Sequence, residues 1–496
     1  MSAPLQVDEF VLRSIIDDVV RGVLAPDAVV AGAPSPAPAA APAVARGPSL
    51  RADGRFGVFS DMDRACSAAQ AAFERLREHG LAGRQRVIDI VKELASAKAE
   101  EWGRLEFEET RIGRLAHKIE KLHLVKLVPG LEWLRPYGLS GDHGITLEEQ
   151  TPFGVIGAIT PVTHSVPTIA GNIIAMVAAG NAVVFNPHPG GARCAATAIR
   201  AFNEAIHAAL GIENLVCTVV EPSLATFDAL CRRECVRLLC VTGGPGVVNA
   251  AMKSGKRAIC AGPGNPPVVV DGTGCLKKAA ADVIRGAAFD NNLLCIGEKQ
   301  VFVLEAVAAR FMTELAAAGA AKLTPQQLDR LTAAAFTRSN DAGGCSHAVV
   351  NRELIGKDVS VLARHAGAEV PADTQLLFAE TDANHPFVVE EQMMPMLPVV
   401  RVKTFDEAVA AAVRSEHGYK HSAIIHSLNV EHMTQLARAI DTTLFVKNGP
   451  SVAGLGLGGE GYMNYSIATT TGEGIVTPRT FTRTRRCVMV DNLRIY

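Results

Sequence analysis

At 496 residues, 48% hydrophobic and 20% charged with a formal net charge of −2, the chain exceeds what one hydrophobic core serves and implies about two to four folded units. That balance gives no attraction to polyanions, and no basic motif points to nucleic acid. The longest apolar stretch, from Ile169 to Phe185, is broken by Gly and Asn and falls short of the roughly 18 to 20 apolar residues of a membrane span.

No basic segment followed by an apolar run opens the sequence, so a cytosolic location is expected rather than secretion. Eleven cysteines without dense, even spacing fit a reducing compartment. Cys231, Cys235 and Cys240 are spaced by four and five with no nearby histidine, unlike structural zinc sites. They read as small packing residues around a strand at 236–241, and no metal is expected.

Residues 5–24 place Val7, Phe10, Val11, Ile15, Val19 and Val23 near helical spacing, with acidic and basic residues elsewhere around the turn, which predicts a short amphipathic helix. The Pro- and Ala-rich segment 31–44 behind it predicts an extended tether. The helix is either an arm folded onto its own subunit or a docking peptide whose apolar stripe needs a partner groove.

Residues 59–127 read as helices, and 144–151 as a hairpin strand. Apolar strands at 152–160, 181–185, 215–220, 238–242, 267–271 and 301–304 alternate with helices such as 169–179 and 192–210. This alternation predicts an α/β fold with a parallel sheet covered on both faces and ligands at the carboxyl ends of its strands.

The loops after those strands carry the chemistry. Thr160-Pro-Val-Thr-His164, Asn186-Pro-His-Pro-Gly-Gly191 and Thr242-Gly-Gly-Pro-Gly246 are rich in small and polar residues that let a nucleotide approach, although none is the G-x-G-x-x-G fingerprint. A further loop, Ala261-Gly-Pro-Gly-Asn-Pro-Pro267, precedes a strand. About thirty residues on, Phe289-Asp-Asn-Asn-Leu-Leu-Cys295 sets one cysteine among polar residues at a helix-to-strand junction. Glu298 and Lys299 beyond it read as a solvated pair with no role.

These segments, with NHPFVVEE at 384–391, MMPMLPVVRV at 393–402, FVKNGP at 445–450 and AGLGLGGEG at 453–461, resemble the aldehyde dehydrogenase superfamily from about residue 50 onward. More narrowly they are similar to the CoA-acylating aldehyde dehydrogenases of ethanolamine and propanediol utilisation. The resemblance implies a Rossmann-like NAD-binding domain over 50–263, interrupted by an oligomerisation hairpin at 139–150. A catalytic α/β domain over 264–446 and a returning segment with an oligomerisation strand over 447–496 would complete it. It also marks 1–25 as a targeting helix and 26–49 as its linker.

Carried over by the resemblance, Cys295 is the nucleophile that forms a thioester, and Thr163 or His164 assists the Cys295 N–H in holding the oxyanion. Thr160, Pro161, Asn186, His188, Pro189, Thr242, Gly243, Gly244, Gly264 and Glu391 are the cofactor-binding positions, with Glu391 on the nicotinamide ribose. Asn186 and His188 stand where other family members have a lysine and a glutamate. Hydrolytic relatives place a water-activating glutamate in the loop that reads Cys260-Ala-Gly-Pro-Gly-Asn265 here, with no carboxylate. The thioester is therefore expected to await coenzyme A, with His421 as a candidate base. The expected substrate is a small aldehyde, propionaldehyde or acetaldehyde, with NAD. The expected setting is a homo-oligomer, dimer or tetramer, inside a bacterial microcompartment, where residues 5–24 meet a shell or co-cargo protein.

Overall fold

Six short strands lie side by side in the order Val58–Phe59, Val216–Val219, Ala182–Pro187, Val155–Thr160, Val236–Thr242 and Arg257–Ala261, every neighbouring pair parallel. The computed structural model describes residues 52–340 and 346–493. The segments at 1–25 and 26–49 lie outside the described residues.

The three strands Val155–Thr160, Ala182–Pro187 and Val216–Val219 are buried at every position, as apolar runs covered on both faces must be. The helix Ser165–Ala178 has no polar face and is likewise buried throughout. It follows Val155–Thr160 and packs between sheet and neighbouring helices. After Val216–Val219 the chain crosses back to lay Val236–Thr242 on the far side of Val155–Thr160. That reversal opens a crevice between the loops after Thr160 and Thr242, the place where such sheets receive ligands.

A second parallel sheet runs Ala321–Lys322, Leu377–Thr381, Met396–Val402, Gln300–Leu304, Pro267–Val270, Ser422–His426, Leu444–Lys447. A third, antiparallel, joins Tyr137–Gly141, Gly144–Pro152 and Thr482–Val490, leaving Tyr137, Leu139, Val488, Met489 and Val490 exposed. Among the described residues no helix is long and apolar enough to cross a membrane.

The strands expected at 215–220, 238–242, 267–271 and 301–304 are present, with ends shifted by one or two residues. Arg257–Ala261, with only one β-branched residue, was not anticipated. Of the three clustered cysteines Cys240 is buried, while Cys231 and Cys235 are partly exposed. No group of metal-ligating side chains occurs among the described residues.

The expectation that ligands sit at carboxyl strand ends needs correction for the second sheet. Gly264, Cys295, Glu391 and His421 all precede its strands, at their amino ends. The cause is connectivity: the chain leaves the first sheet at the carboxyl end of Arg257–Ala261 and enters the second at the amino end of Pro267–Val270. The ligand rim of one sheet thus leads into the starting edge of the other.

Candidate active site

Cys295 sits five residues before Gln300–Leu304, partly exposed, behind a short turn, Phe289–Asn292. Three consecutive residues of that stretch, Asp290, Asn291 and Asn292, have φ of 49°, 56° and 65°. Asp and Asn enter this left-handed region more readily than other non-glycine residues, so the Asp-Asn-Asn sequence was a readable signal for the turn. Each side chain is also tied down. Asn291 donates to the carbonyls of Gly113 (3.2 Å) and Gly356 (3.0 Å) and to Asp358 (2.9 Å), and Asn292 donates to the Glu298 carbonyl at 2.8 Å.

Asp290 accepts from the Arg114 amide at 2.8 Å and from Lys121 Nζ at 2.5 Å, with Lys118 Nζ 3.6 Å away. Burial pushes its carboxyl up, but Lys121 and Lys118 outweigh that and hold it at about 2. Lys118 also pairs with buried Glu106 at 3.0 Å. Both lysines come from the helix Leu115–Leu124 and donate to the Thr163 carbonyl, at 2.5 Å and 3.1 Å. One buried charge cluster therefore grips both the loop bearing Thr163 and the turn bearing Cys295. Sequence reading missed it because Asp290 lies 169 residues from Lys121 in the chain.

His164 is buried against Tyr465, ring centroids 5.5 Å apart, with Nδ1 unpartnered. Burial and the charges of Lys121 and Lys118 keep it neutral.

Gly264 brings the pieces together. A Cβ there would stand 2.7 Å from the Cys295 carbonyl oxygen and 2.8 Å from His421 Cγ, and its amide donates to Glu391. His421 is fully buried, with Nδ1 2.9 Å from Ser422 Oγ and Nε2 unpartnered. Burial, aided by the charge of Lys299, brings it down to about 3, so the ring is neutral. Glu391 is raised to about 7 by burial, opposed by Lys299. Cys295 is pushed up to about 12, first by burial and then by Glu391, with Lys299 acting against both.

Glu298 and Lys299 are not a solvated pair: both are fully buried. Glu298 accepts from the Ser451 amide and hydroxyl, each at 2.7 Å. Asn265 carries no proton-abstracting group, and its amide donates to the carbonyls of Ser415 (2.7 Å), Val388 (3.0 Å) and Val389 (3.3 Å).

The remaining positions lie at the carboxyl ends of the first sheet's strands and in the loops that follow them. Thr160 is buried with Oγ1 unpartnered, and Pro161 follows it. Asn186 is committed to Thr226 (2.7 Å) and the Ser223 carbonyl (3.2 Å). His188 and Pro189 are exposed, with His188 Nδ1 accepting from the Gly190 amide at 3.0 Å. Thr242 Oγ1 lies 2.8 Å from Ser466 Oγ. Gly243 and Gly244 lead into the helix Pro245–Lys253, and a side chain at Gly244 would meet nothing.

Residues 56–462 match the model of the aldehyde dehydrogenase family. The chain belongs to that family. It is 45% identical over 442 residues to an acetaldehyde dehydrogenase (acetylating), EutE, of Salmonella typhimurium, covering 89% of this chain and 94% of the relative. It is 42% identical over 445 residues to a propanal dehydrogenase (CoA-propanoylating) of the same organism, covering 88% and 93%.

Among solved structures, the propionaldehyde dehydrogenase of Rhodopseudomonas palustris with bound CoA and an acylated cysteine superposes with TM-score 0.85 at 42% identity, covering 89% of this chain and all of that one. A propionaldehyde dehydrogenase from the fucose utilisation microcompartment of Clostridium phytofermentans gives 0.85 at 43%, with the same coverage. An engineered glycolyl-CoA reductase with bound NADP+ gives 0.85 at 42%, covering 89% and 99%.

Proposed function

We propose that this aldehyde dehydrogenase is the CoA-acylating, NAD-dependent kind: aldehyde, CoA and NAD+ give acyl-CoA, NADH and a proton, with propionaldehyde as substrate. The observation that carries the reading is the loop against Cys295. It holds no carboxylate, and the one amide there, of Asn265, is spent on three backbone carbonyls. Nothing in it activates water, so an acyl-Cys295 persists until a thiol takes the acyl group.

The residues present fit a dinucleotide. The buried, unpartnered Thr160 hydroxyl and the open Gly244 at a helix N-terminus suit a pyrophosphate. Glu391 suits ribose hydroxyls, and His188 leaves the adenosine end without the carboxylate that would reject a 2′-phosphate. When bound, the oxidised nicotinamide accepts the hydride.

The protein's own steps follow. Cys295 gives its proton to solvent, and its sulfur attacks the aldehyde carbon as the carbonyl π pair moves to oxygen. The Cys295 N–H and the Thr163–His164 segment face the oxyanion. Collapse of this adduct with loss of hydride leaves the thioester. Attack by the CoA sulfur then expels Cys295 as the thiolate, an exchange of one thioester for another that conserves the oxidation energy. His421 Nε2, without a partner, is the candidate acceptor of the CoA proton, and Nδ1 lies 2.9 Å from Ser422 Oγ, which orients the ring.

The rest of the reading follows the relatives. The sheet containing Thr482–Val490, with its exposed apolar residues, suits homo-oligomerisation, and residues 5–24 suit docking in a bacterial microcompartment. Acetaldehyde is the second reading, favoured by the 45% identity to the acetylating relative. One methylene is worth only about 1 to 3 kcal/mol in a pocket. The test measures NADH formation from both aldehydes, with and without CoA, for wild type and Cys295→Ser. CoA-independent turnover to free acid overturns the acylating reading, and an active Cys295→Ser overturns the nucleophile.

A further inference from the structure

Lys299 lies four residues past Cys295 and has no place in the chemistry so far. Its side chain is fully buried, a costly position for an ammonium unless every proton is satisfied. Nζ donates to the carbonyl of Asn292 at 2.8 Å, to the carbonyl of Leu294 at 3.1 Å and to Asn292 Oδ1. All three acceptors belong to the turn that presents the nucleophile. Its backbone reaches two more loops of the site: its N–H donates to the Pro266 carbonyl at 3.0 Å, and its own carbonyl accepts from Gln392, next to Glu391, at 3.5 Å.

The bond to Leu294 has a chemical consequence. The Leu294 carbonyl and the Cys295 N–H belong to one peptide group. A cation bonded to the carbonyl oxygen draws electron density from the nitrogen and makes the N–H a stronger donor, because hydrogen bonds along a chain polarise one another. The three acceptors are neutral, so the ammonium charge is not cancelled by a bonded anion.

We propose that Lys299 is a positioning residue for Cys295, fixing its turn through Asn292 and Leu294 and lending a buried positive charge to both the Cys295 thiolate and the Cys295 N–H. The ionisable groups that face it are Glu391, Cys295, Glu298 and His421. Glu391 is the opposing influence, so the thiolate lies between one buried anion and one buried cation. The inference rests on Cys295 being the nucleophile and is independent of whether CoA or water ends the cycle.

The test is the alkylation rate of Cys295 by iodoacetamide across the neutral to alkaline range, read by peptide mass spectrometry, with exposed Cys275 and Cys487 as internal references. It reads the thiolate without substrate or CoA. Lys299→Gln keeps donors but loses the charge. Its Cys295 is expected to alkylate about 10- to 100-fold more slowly at a given pH, the one to two pH units that a close opposite charge confers, and kcat to fall about 10-fold or more. Lys299→Arg is expected to keep the wild-type alkylation rate below about pH 8 and, because its guanidinium stays charged, to hold that rate advantage above it. The wild-type advantage is expected to narrow above about pH 8, where Lys299 loses its proton.

If Lys299→Gln does not fold, the same comparison between Glu391→Gln and Glu391→Gln/Lys299→Gln serves, since the double variant removes both of the opposed charges beside Cys295. Identical Cys295 profiles with and without the charge, whatever happens to kcat, overturn the proposal and reduce Lys299 to a structural clamp. An active Cys295→Ser would instead remove the reading beneath it.

Discussion

Lys121 donates to Asp290 at 2.5 Å with both side chains completely buried, and the same ammonium reaches the Thr163 carbonyl. Two loops separated by more than a hundred residues are thereby held to one charge. Removing one member of a buried pair strands the other, at a cost of about 3 to 5 kcal/mol. Asp290→Asn is expected to show that loss in urea unfolding, with kcat reduced, and Asp290→Asn/Lys121→Met to recover part of the stability. A single variant as stable as wild type would contradict the pairing.

The acid limb of stability carries the same signature. Asp290 is held at about 2 in the fold against an ordinary 3.8. Its contribution is therefore present above the ordinary value and lost as pH falls from there through about 2. Unfolding midpoints measured down this limb are expected to fall less steeply for Asp290→Asn than for wild type.

Glu391 predicts a pH dependence in cofactor binding. Its carboxyl is raised to about 7, so it becomes neutral as pH falls through that value and, in its proposed place on the ribose, would accept hydrogen bonds less well. NAD affinity, followed by calorimetry, is expected to weaken below about pH 7. Glu391→Gln should bind weakly with a flat profile; a sloping one would assign the titration elsewhere.

Gly264 predicts a steric effect. Between the Cys295 carbonyl and His421 there is no room for a methyl group, so Gly264→Ala must push the Cys295 backbone. A displacement of this kind costs about 10²-fold in kcat, while overpacking costs stability only about 1 to 3 kcal/mol. Steady-state rates alongside a melting curve separate the two.

Without CoA, wild type is expected to give a burst of NADH stoichiometric with subunits and then stall, the acyl group remaining on Cys295 by mass spectrometry. Continued turnover would mean that some base near the cysteine activates water. Deleting residues 1–48 is expected to abolish encapsulation while leaving kcat and KM near wild type; collapse of activity would assign the segment to the enzyme itself.

Much of this site is written locally. Asp290-Asn-Asn292 encodes the left-handed turn, and Pro263-Gly-Asn-Pro-Pro267 marks the loop that crosses between sheets. Glu298 and Lys299 show where local reading fails. Two adjacent opposite charges normally mean solvent, and only partners from Ser451, Asn292 and Leu294 make their burial tolerable. Likewise Lys118 and Lys121 carry no sequence mark of their ties to Thr163 and Asp290. The second sheet's use of its amino edge follows from a single connection, Arg257–Ala261 to Pro267–Val270, which periodicity does not reveal.

Phe289, Leu294 and Ile296 pack into the core beneath the first sheet, while Val301, Phe302 and Val303, a few residues on, belong to the cores of the second. The Cys295 segment is thus a stitch: covalently it lies within one half, between Pro267–Val270 and Gln300–Leu304, yet by packing it is sewn into the other. Neither half expressed alone would hold a competent cysteine, and pulling the halves apart would unpick the turn first. Loss of the reactive thiol geometry should then precede loss of either sheet, making Cys295 an early reporter of strain across the whole subunit.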